Sequence, residues 1–433
     1  MHHTNMRHCR TALPAGRVPT APVRLAICCC LVALVVFGQP CRAGDDAYTC
    51  LHRGNLDIKA GRYQSALAHF NRALELKPSL AQAYAMRGWT YAQLKKYQPA
   101  LDDLTKAIAL DPKLEGAYCV KADIYRGLRQ WEKAIENYNQ TLQLMPGVAR
   151  RYLWRGFCYR ELRKFDNALS DLSEAVRLAG GDKKLLVDAY AQRWQVYIAL
   201  RRDQEGIEDA SRALAIDPKL WDAWQVRADL HLRQRHLQQA QYDYRSAIKL
   251  RPGSARSHRG LGITLAKMGR VSEGLAELAE AARLDPRADD IFLAMGSLHL
   301  RSGMPDKAVD DLTHFIKLNS KNADAYTSRG YAYSLLERYE PAIADYTNAI
   351  RLNPKLSAAY AGRADCYRKL GQVRKAIGDY YKLTQLEPNR YQTYYDLADL
   401  YEVIGQRNLA RKAEEKAAEL ESAATTRGRG NKP

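Results

Sequence analysis

The hydrophobic residues of this chain follow a helical pattern over most of its length. From about residue 47 onward they recur at i, i+3, i+4 and i+7 rather than alternating with polar residues. Short turns, such as "KAGRYQ" beginning at Lys59 and "LLERYEP" beginning at Leu335, interrupt the pattern at regular intervals. The pattern therefore predicts a succession of amphipathic helix pairs.

A series of prolines divides the helix pairs at a nearly fixed interval. Most neighbouring prolines in the series are 34 residues apart, one gap of 68 residues is two periods, and one gap of 72 residues exceeds two periods by four. We assign the four surplus residues to Gly180–Lys183. Proline has no N–H to donate and disfavours helix in the residue before it, so each should end a second helix. The series is Pro78, Pro112, Pro146, Pro218, Pro252, Pro286, Pro354 and Pro388.

Small residues recur at two places of the 34-residue unit, where the two helices of a pair must approach closely. Place eight is Gly or Ala in every unit except one, which has Trp194, and place twenty is Gly or Ala in every unit. Aromatic residues take complementary places, and 21 of the 27 tyrosines stand at places four, eleven, seventeen or twenty-four. We interpret these tyrosines as framework. A period this regular indicates a repeat protein.

These units resemble the tetratricopeptide repeat (TPR) family, and the resemblance covers residues 47–420. It implies an all-α fold, a right-handed superhelical solenoid of stacked antiparallel helix pairs with a concave and a convex side. It also implies that a peptide or helix of a partner lies on the concave side, against places two, five, nine, twelve and thirteen of the first helices. Eleven repeats begin near Ala47, Ala81, Glu115, Ala149, Val187, Trp221, Ala255, Asp289, Ala323, Ser357 and Tyr391.

The first 43 residues predict a secretory signal peptide. Arg17 and Arg24 precede an apolar run, Leu25–Gly38, and Ala43 is the expected cleavage position. As a helix this run is about 21 Å long, which is short of the roughly 30 Å hydrocarbon core of a membrane. We therefore expect an exported protein, periplasmic or secreted. The alternative is an uncleaved N-terminal anchor that associates the protein with a membrane.

The charge of the chain adds a preference for acidic partners. The formal net charge is +19, and without the first 43 residues the remaining 62 basic and 48 acidic residues leave +14. The two signs are interspersed, so we expect a mixed surface with a basic bias and no nucleic-acid partner. The last segment, residues 421–433, is basic and is predicted to be disordered.

The sequence lacks the motifs of catalysis, of cofactor binding and of metal binding. It has no glycine-rich phosphate loop, no GxSxG, no HExxH and no CxxC. The cysteines outside the leader, Cys50, Cys119, Cys158 and Cys366, are far apart, and we expect them to pack between helices. We therefore predict a protein that is not an enzyme and that has no cofactor and no metal.

Two charged residue types also recur with the period. Arginine stands at place seven in most repeats, for example at Arg87 and Arg363, and aspartate stands at place twenty-three, for example at Asp103 and Asp379. Groups repeated in this way favour a structural role over a catalytic one. We predict that they form a series of ion pairs along the array.

Two stretches of the concave places combine basic residues with aromatic or apolar ones. The first runs from Trp89 to Arg160, and we favour it as the binding site because aromatic residues and arginine dominate interface energetics. The second lies in the seventh and eighth repeats, which depart furthest from the pattern, and includes Lys267 and Arg301. The candidate partner-binding residues are Trp89, Lys113, Arg126, Arg150, Phe157, Arg160, Arg256 and Arg259.

The predicted function is that of an exported, non-enzymatic scaffold or adaptor. It would bind a peptide or a protein surface in the concave TPR groove, with a preference for acidic segments. The TPR subclass that grips the C-terminal carboxylate of chaperones is not matched, since only Asn55 of its residue set is present. The alternative is a basic solenoid that binds an anionic polymer or a membrane surface, and a merely solvated inner face is the third interpretation.

Overall fold

The computed structural model describes residues 44–429, and every regular element within that range is an α-helix. Consecutive helices are joined by short turns and pack against each other in pairs. The predicted all-α class and the tandem helix pairs are therefore confirmed. The leader lies outside the described residues, so the signal peptide and the alternative anchor stay predictions.

The chain divides into two compact units. The first unit ends at Leu110 and contains α1 (Ala47–Lys59), α2 (Tyr63–Leu76), α3 (Ala81–Gln93) and α4 (Tyr97–Leu110). The second unit begins at Asp111. Its first nine helices are α5 (Glu115–Gly127), α6 (Trp131–Leu144), α7 (Ala149–Glu161), α8 (Phe165–Leu178), α9 (Lys183–Ala199), α10 (Asp203–Ile216), α11 (Trp221–Arg233), α12 (Leu237–Leu250) and α13 (Ala255–Lys267). The other nine are α14 (Val271–Leu284), α15 (Asp289–Arg301), α16 (Pro305–Leu318), α17 (Ala323–Leu335), α18 (Tyr339–Leu352), α19 (Ser357–Lys369), α20 (Val373–Leu386), α21 (Tyr391–Val403) and α22 (Arg407–Arg429).

The fifth repeat begins earlier than predicted. Its first helix starts at Lys183 instead of Val187 and has 17 residues, whereas the other first helices have 13. Asp182 caps this helix, because its carboxylate accepts a hydrogen bond from the N–H of Leu185 at 3.0 Å. Lysine and leucine are good helix formers, and the four extra residues are Lys183–Leu186, which add one turn of helix. The prediction that the surplus is Gly180–Lys183 is therefore wrong, because residues 179–182 form a connection of ordinary length.

The last helix is also longer than predicted. It continues to Arg429, past the predicted end of the repeats at residue 420, so the tail predicted to be disordered begins inside a helix. The extension is tied to the preceding helix by the Tyr395 hydroxyl, which donates to the Glu421 carboxylate at 2.8 Å. Its first residues, Glu421–Thr426, contain neither Gly nor Pro, the residues that end helices most readily.

The two helices of every repeat are joined through one residue with a positive φ, always at place fifteen. Five repeats have Gly at this place, and six have a residue with a side chain at φ between 56° and 61°. The N–H of the next residue bonds back into the first helix, as from Gln130 to the Tyr125 carbonyl at 2.9 Å, which is typical of a Schellman helix end. The six side-chain residues are Lys95, Arg129, Arg163, Arg201, Arg235 and Glu337.

The helices of a pair come closest where small residues face each other. A Cβ atom at Gly262 would lie 2.8 Å from the carbonyl oxygen of Gly274, and one at Gly274 would lie 2.7 Å from the carbonyl oxygen of Gly262. Two backbones therefore touch here. Bulky side chains fill the space elsewhere, and the place-24 rings of Tyr138 and Tyr244 are fully buried. These rings are framework, as predicted.

Six arginine–aspartate pairs hold the two helices of their repeats together. In each, the Nε and Nη2 atoms of the place-seven arginine donate to the two carboxylate oxygens of the place-23 aspartate at 2.6 to 2.8 Å. The predicted structural pairing is confirmed for Arg87–Asp103, Arg155–Asp171, Arg193–Asp209, Arg227–Asp243, Arg329–Asp345 and Arg363–Asp379.

The same guanidinium groups also reach the preceding repeat. The Nη1 atom of each donates to a side-chain oxygen at place twenty-five of the second helix before it, at 2.7 to 3.0 Å. Each arginine therefore links two consecutive helix pairs, and we call the six arginines with their partners the arginine ladder. The acceptors, in chain order, are Asn71, Asn139, Ser173, Ser211, Thr313 and Thr347.

Candidate functional site

First helices of neighbouring repeats contact each other directly within the second unit. The contacts join α11 to α13, α13 to α15 and α15 to α17. Their exposed sides therefore form one continuous surface across four repeats. The second basic stretch of the sequence lies on this surface.

Two cavities open between these first helices. The larger has a volume of about 410 Å³ and lies between α11 and α13, with the Tyr244 ring of α12 as part of its wall. The smaller, of about 220 Å³, lies between α13 and α15. Ile263 and Lys267 line both cavities, so the two are neighbouring parts of one depression, which we call the basic groove.

Basic side chains outnumber acidic ones along the basic groove. The larger cavity is lined by four cations and a single carboxylate, and Arg301 adds a cation at the smaller one. The apolar part of the surface is provided by Leu232 and Ile263 in the larger cavity and by Leu278 and Leu298 in the smaller. The four cations of the larger cavity are Arg233, Arg235, Arg259 and Lys267.

The carboxylate in the larger cavity, Asp229, already accepts three hydrogen bonds from within the protein. It accepts hydrogen bonds from the Tyr244 hydroxyl at 2.6 Å, from Gln225 Nε2 at 2.9 Å and from Arg256 Nη2 at 2.5 Å. Burial and the neighbouring Asp229 carboxylate raise the pKa of the Tyr244 phenol, so Tyr244 stays a donor. The acid is thereby neutralised from within the protein and does not offset the cations around it.

Three cations of the basic groove remain without a carboxylate partner among the described residues: Arg235, Lys267 and Arg301. The other two are paired, Arg233 with Asp203 at 2.5 Å and Arg259 with Asp290. An anionic group with an apolar neighbour suits this surface. Its negative charge would pair with these cations, and its apolar part would contact the apolar side chains beside them.

Gly260 shapes the larger cavity. A Cβ atom at this position would lie 2.3 Å from the ring of Tyr244, so any side chain would collide with it. The ring thus lies against the α13 backbone, and its hydroxyl reaches Asp229. This contact joins the wall of the cavity to the carboxylate that holds Arg256.

The first predicted stretch has a different arrangement. Phe157 makes edge-to-face contacts with Trp131 and Trp154, with ring centroids 5.8 and 6.2 Å apart, and Arg126 lies over the Trp154 ring at 4.2 Å. Arg160 lies over Phe157 at 4.7 Å and also donates to Gln192 Oε1 at 2.5 Å. The structure thus brings Arg126, Phe157 and Arg160 together, but as partners of one another and of framework residues.

The other predicted residues are dispersed. Trp89 belongs to the first compact unit, where it is half-buried against the Tyr63 ring at 6.2 Å. Lys113 precedes α5 and is exposed, as is Arg150 on α7. Arg256 and Arg259 lie at the basic groove, the former bonded to Asp229 and the latter lining the larger cavity.

The sequence reasoning missed two cations of the basic groove, Arg233 and Arg235. Arg233 stands at place thirteen of the sixth repeat, the place that Lys267 and Arg301 occupy in the next two repeats. Arg235 stands at place fifteen, in the turn after α11, and its φ of 61° sets its backbone in the left-handed region. The residues predicted for the inner face were first-helix residues and the inter-repeat Lys113, and none of them stood at place fifteen. The signal that would have found both is the run "RQR" from Arg233 to Arg235, in which two cations frame the end of a first helix.

The described part of the chain holds no grouping of side chains for metal binding, and its three free cysteines are buried. Between Gly44 and Arg429, no three His, Cys, Asp or Glu side chains are grouped so that they could hold a metal ion. Burial raises the thiol pKa of Cys119 and of Cys158 to about 12 and that of Cys366 to about 11, which removes thiolate character at neutral pH. In the same range, no helix has the length and apolar character needed to cross a membrane.

Family models of the tetratricopeptide repeat match several parts of the chain. The matched residues are 54–95, 81–114, 119–183, 226–289, 323–356 and 357–390. Together these ranges cover more than half of the chain. A search of the curated proteins finds no match.

Solved structures of repeat proteins resemble this chain at low identity. The crystal structure of MamA is 26% identical, with a TM-score of 0.38, and covers 38% of this chain and 97% of its own. YrrB, described as a TPR protein with an unusual peptide-binding site, is 20% identical, with a TM-score of 0.38, and covers 41% of this chain and 91% of its own. Yeast Tom70 is 16% identical, with a TM-score of 0.35, and covers 86% of this chain and 92% of its own.

The family assignment rests on the family models and on the helix pairs themselves. The matched ranges begin in α1, end just after α20 and lie on the tandem helix pairs of the structure, with residues 184–225 and 290–322 unmatched between them. This repeat supports a role as a protein–protein interaction scaffold. The chain belongs to the tetratricopeptide repeat family.

Proposed function

We propose that this protein is a non-enzymatic scaffold that binds an acidic peptide segment of a protein partner in the basic groove. The observation that carries the proposal is the charge arrangement there: Arg235, Lys267 and Arg301 have no carboxylate partner in the described chain, while the acids nearby are held by other side chains. Carboxylates of a bound segment would supply the missing partners.

The apolar surface between the cations gives the groove a second means of recognition. Ile263 lies at the centre, in both cavities, and Leu232 and Leu298 lie to either side. Burial of apolar ligand surface contributes affinity that does not depend on salt, at about 25 cal/mol per Å² before the costs of association. A bound segment with acidic and apolar side chains is therefore favoured over one that is acidic throughout.

A binding experiment on the full chain tests this function. Fluorescence anisotropy compares a labelled acidic peptide with its Asn/Gln counterpart, on the wild type and on Lys267→Glu. We expect only the acidic peptide to bind, and Lys267→Glu to weaken its binding by about tenfold or more, since it replaces an attraction by a repulsion. Lys317→Glu is the matched control, because Lys317 also lies exposed in the last turn of a helix, α16.

Binding of an anionic polymer or a membrane surface is the competing function, and the net charge of +14 that remains without the first 43 residues favours it. Such binding would draw on cations all over the protein and would decrease steeply with salt. It would also respond equally to Lys267→Glu and Lys317→Glu. Equal losses in both variants, with a polyphosphate chain or anionic vesicles as the ligand, would replace the peptide proposal by this one.

We further propose that the protein is exported, on the strength of the basic and apolar leader before Ala43. Intact-mass measurement of the chain after expression with its leader tests this. A mass that corresponds to a start at Gly44 supports cleavage and release. A full-length mass in the membrane fraction supports the N-terminal anchor instead.

A further inference from the structure

Three cations of the basic groove occupy the same place in three successive repeats. Arg233, Lys267 and Arg301 are the last residues of α11, α13 and α15. Arg233 and Lys267 line the larger cavity together, and Lys267 and Arg301 line the smaller one together. They therefore form a row that crosses three consecutive helix pairs, with Lys267 at its centre.

In the repeat after Arg301, the position that continues the row is apolar. The corresponding residue of the next repeat is Leu335, the last residue of α17, and Tyr331 lies one helical turn before it. Both are about half exposed, at 46% and 51%. Since α15 contacts α17, these two side chains continue the surface of the row. Adjacent exposed large hydrophobic residues of this kind are typical of a binding surface.

Most N–H donors of the three cations in the row are not used in ion pairs within residues 44–429. Lys267 and Arg301 form no ion pair within residues 44–429, and Arg233 gives one of its five N–H donors to Asp203. The row therefore presents three positive groups at equivalent positions, and each is separated from the next by one repeat. A ligand that matches it must present negative groups at the same interval.

The contacts of α11 with α13 and of α13 with α15 set the expected interval between these cations, and this interval favours one peptide conformation. Packed neighbouring helices lie about 8–10 Å apart. A polyproline-II segment has three residues per turn and rises about 3.1 Å per residue, so side chains three residues apart point to one side at a spacing of about 9 Å. In a β-strand the side chains on one face lie about 6.6 Å apart, which does not fit this interval.

We propose that the ligand of the basic groove is an extended polyproline-II segment with carboxylate side chains at every third position. The three carboxylates meet Arg233, Lys267 and Arg301 in turn. A large apolar side chain, three residues beyond the carboxylate at Arg301, meets Tyr331 and Leu335. This inference rests on the proposed function and adds to it the spacing and the conformation of the bound segment.

Composition-matched peptides test the spacing. Each has about twelve residues, with three Glu and one Leu in a Pro- and Ala-rich chain, which keeps the backbone extended. In one peptide the acidic residues are three apart with Leu three residues further on; in the others they are two apart, four apart or clustered. We expect the first peptide to bind the full chain about tenfold more tightly than the clustered one, since only it satisfies all three cations at once.

Variants locate the peptide on the row. Arg301→Ser and Lys267→Ser should each weaken the three-apart peptide about tenfold, while the control Lys317→Ser leaves it unchanged. Leu335→Ser should weaken the peptide that contains Leu and not the one in which Ala replaces it. Circular dichroism melts of each variant check that these exposed positions leave the fold intact.

The outcomes separate the three-residue spacing of the ligand from acidic-peptide binding in general. Equal binding of all four spacings, with loss in Lys267→Ser, would overturn the three-residue spacing and leave acidic-peptide binding in place. A preference for the spacing of two would assign a β-strand ligand and overturn the polyproline-II conformation. Failure of every acidic peptide to bind would overturn both this inference and the proposed function.

Discussion

Arg193 holds both carboxylate oxygens of Asp209, with its Nε at 2.7 Å and its Nη2 at 2.6 Å. The pair is the most buried of the arginine ladder: the Arg193 side chain is 9% exposed and that of Asp209 is 2% exposed. Burial alone would lower the pKa of Arg193, but the hydrogen bond and the charge of Asp209 outweigh it and raise the pKa. The Arg193 guanidinium therefore stays charged, and Asp209 is the carboxylate that it contacts.

Removing one partner of this pair should destabilise the fifth repeat strongly. For Asp209→Asn we expect a loss of about 3 kcal/mol in the free energy of unfolding, because a buried guanidinium is left without its counter-charge. Urea unfolding followed by circular dichroism measures the loss, and hydrogen exchange should localise it to α9 and α10. The control Glu174→Gln breaks an exposed pair with Arg177 and should leave the unfolding curve unchanged. Equal effects of the two variants would contradict the structural role of the ladder.

The positive φ at place fifteen makes a second prediction. Arg129 has φ of 58° and an exposed side chain, so its Cβ atom is strained without a compensating contact among the described residues. Arg129→Gly should stabilise the protein by about 0.5–1 kcal/mol, the relief of left-handed strain minus the entropy cost of glycine. Arg129→Ala retains the Cβ atom and should give no such gain. Thermal melts of the two variants distinguish strain relief from the loss of a charge.

The contact between Gly262 and Gly274 predicts that a side chain at residue 262 destabilises the protein. Gly262→Ala would push a methyl group against the Gly274 carbonyl oxygen and should cost about 1–3 kcal/mol of stability through overpacking. Gly378→Ala is the matched control, since Gly378 is an exposed residue within α20 and a Cβ atom there meets nothing within 4 Å. This control should stabilise by up to about 1 kcal/mol, the helix-propensity difference. Destabilisation by both variants would mean that the close approach is not what limits residue 262.

The stability of the sixth repeat should depend on pH through His231. Burial lowers the pKa of this imidazole, the Asp243 carboxylate opposes the shift, and Arg227 and His236 add to it. The folded protein thus favours the neutral form, so protonation of the unfolded chain below its ordinary pKa of about 6.5 withdraws stability as the pH falls. The melting temperature should therefore decrease from pH 7.5 to pH 5.

His231→Tyr checks the origin of this dependence, because tyrosine is the residue found at place eleven in most other repeats. Below pH 6.5 the melting temperature of the variant should decrease less than that of the wild type. Above pH 7.5 the difference between the two melting temperatures should stay constant. An identical slope in both proteins would assign the dependence to other groups, of which His69, also shifted downward by burial, is one.

The period of 34 residues was enough to predict the helix pairs and the arginine ladder, because both depend on residues that recur at fixed places. Its limits show at the fifth repeat, where the sequence assigned the surplus residues to Gly180–Lys183 and predicted a repeat that begins near Val187. An N-cap followed by helix formers uses the surplus residues as a helical turn there. The third ladder bond also went unpredicted, since its acceptors are Asn, Ser or Thr and share an oxygen atom rather than a residue type.

The binding surface was the least predictable feature. Trp89 and Phe157 have the residue types expected of a binding surface, yet they pack against Tyr63 and against Trp131 and Trp154. The unpaired state of Lys267 is a property of its neighbours in three dimensions. The repeat pattern placed Lys267 in the second basic stretch, but no pattern along the chain shows that it lacks a carboxylate partner.

The acceptor of the third hydrogen bond in the arginine ladder varies in residue type, and this variation bears on how the number of repeats can change. Arg193 reaches Ser173 over a separation of 20 residues, whereas the other five arginines find their acceptors 16 residues back. The hydrogen bond therefore depends on the position of the arginine in the structure, and Asn, Ser or Thr can each supply the acceptor oxygen. Within the second unit, removal of the fifth repeat would place Arg227 beside Ser173, and removal of the ninth would place Arg363 beside Thr313. At these two joints the array can lose a repeat while the arginine keeps a hydroxyl acceptor.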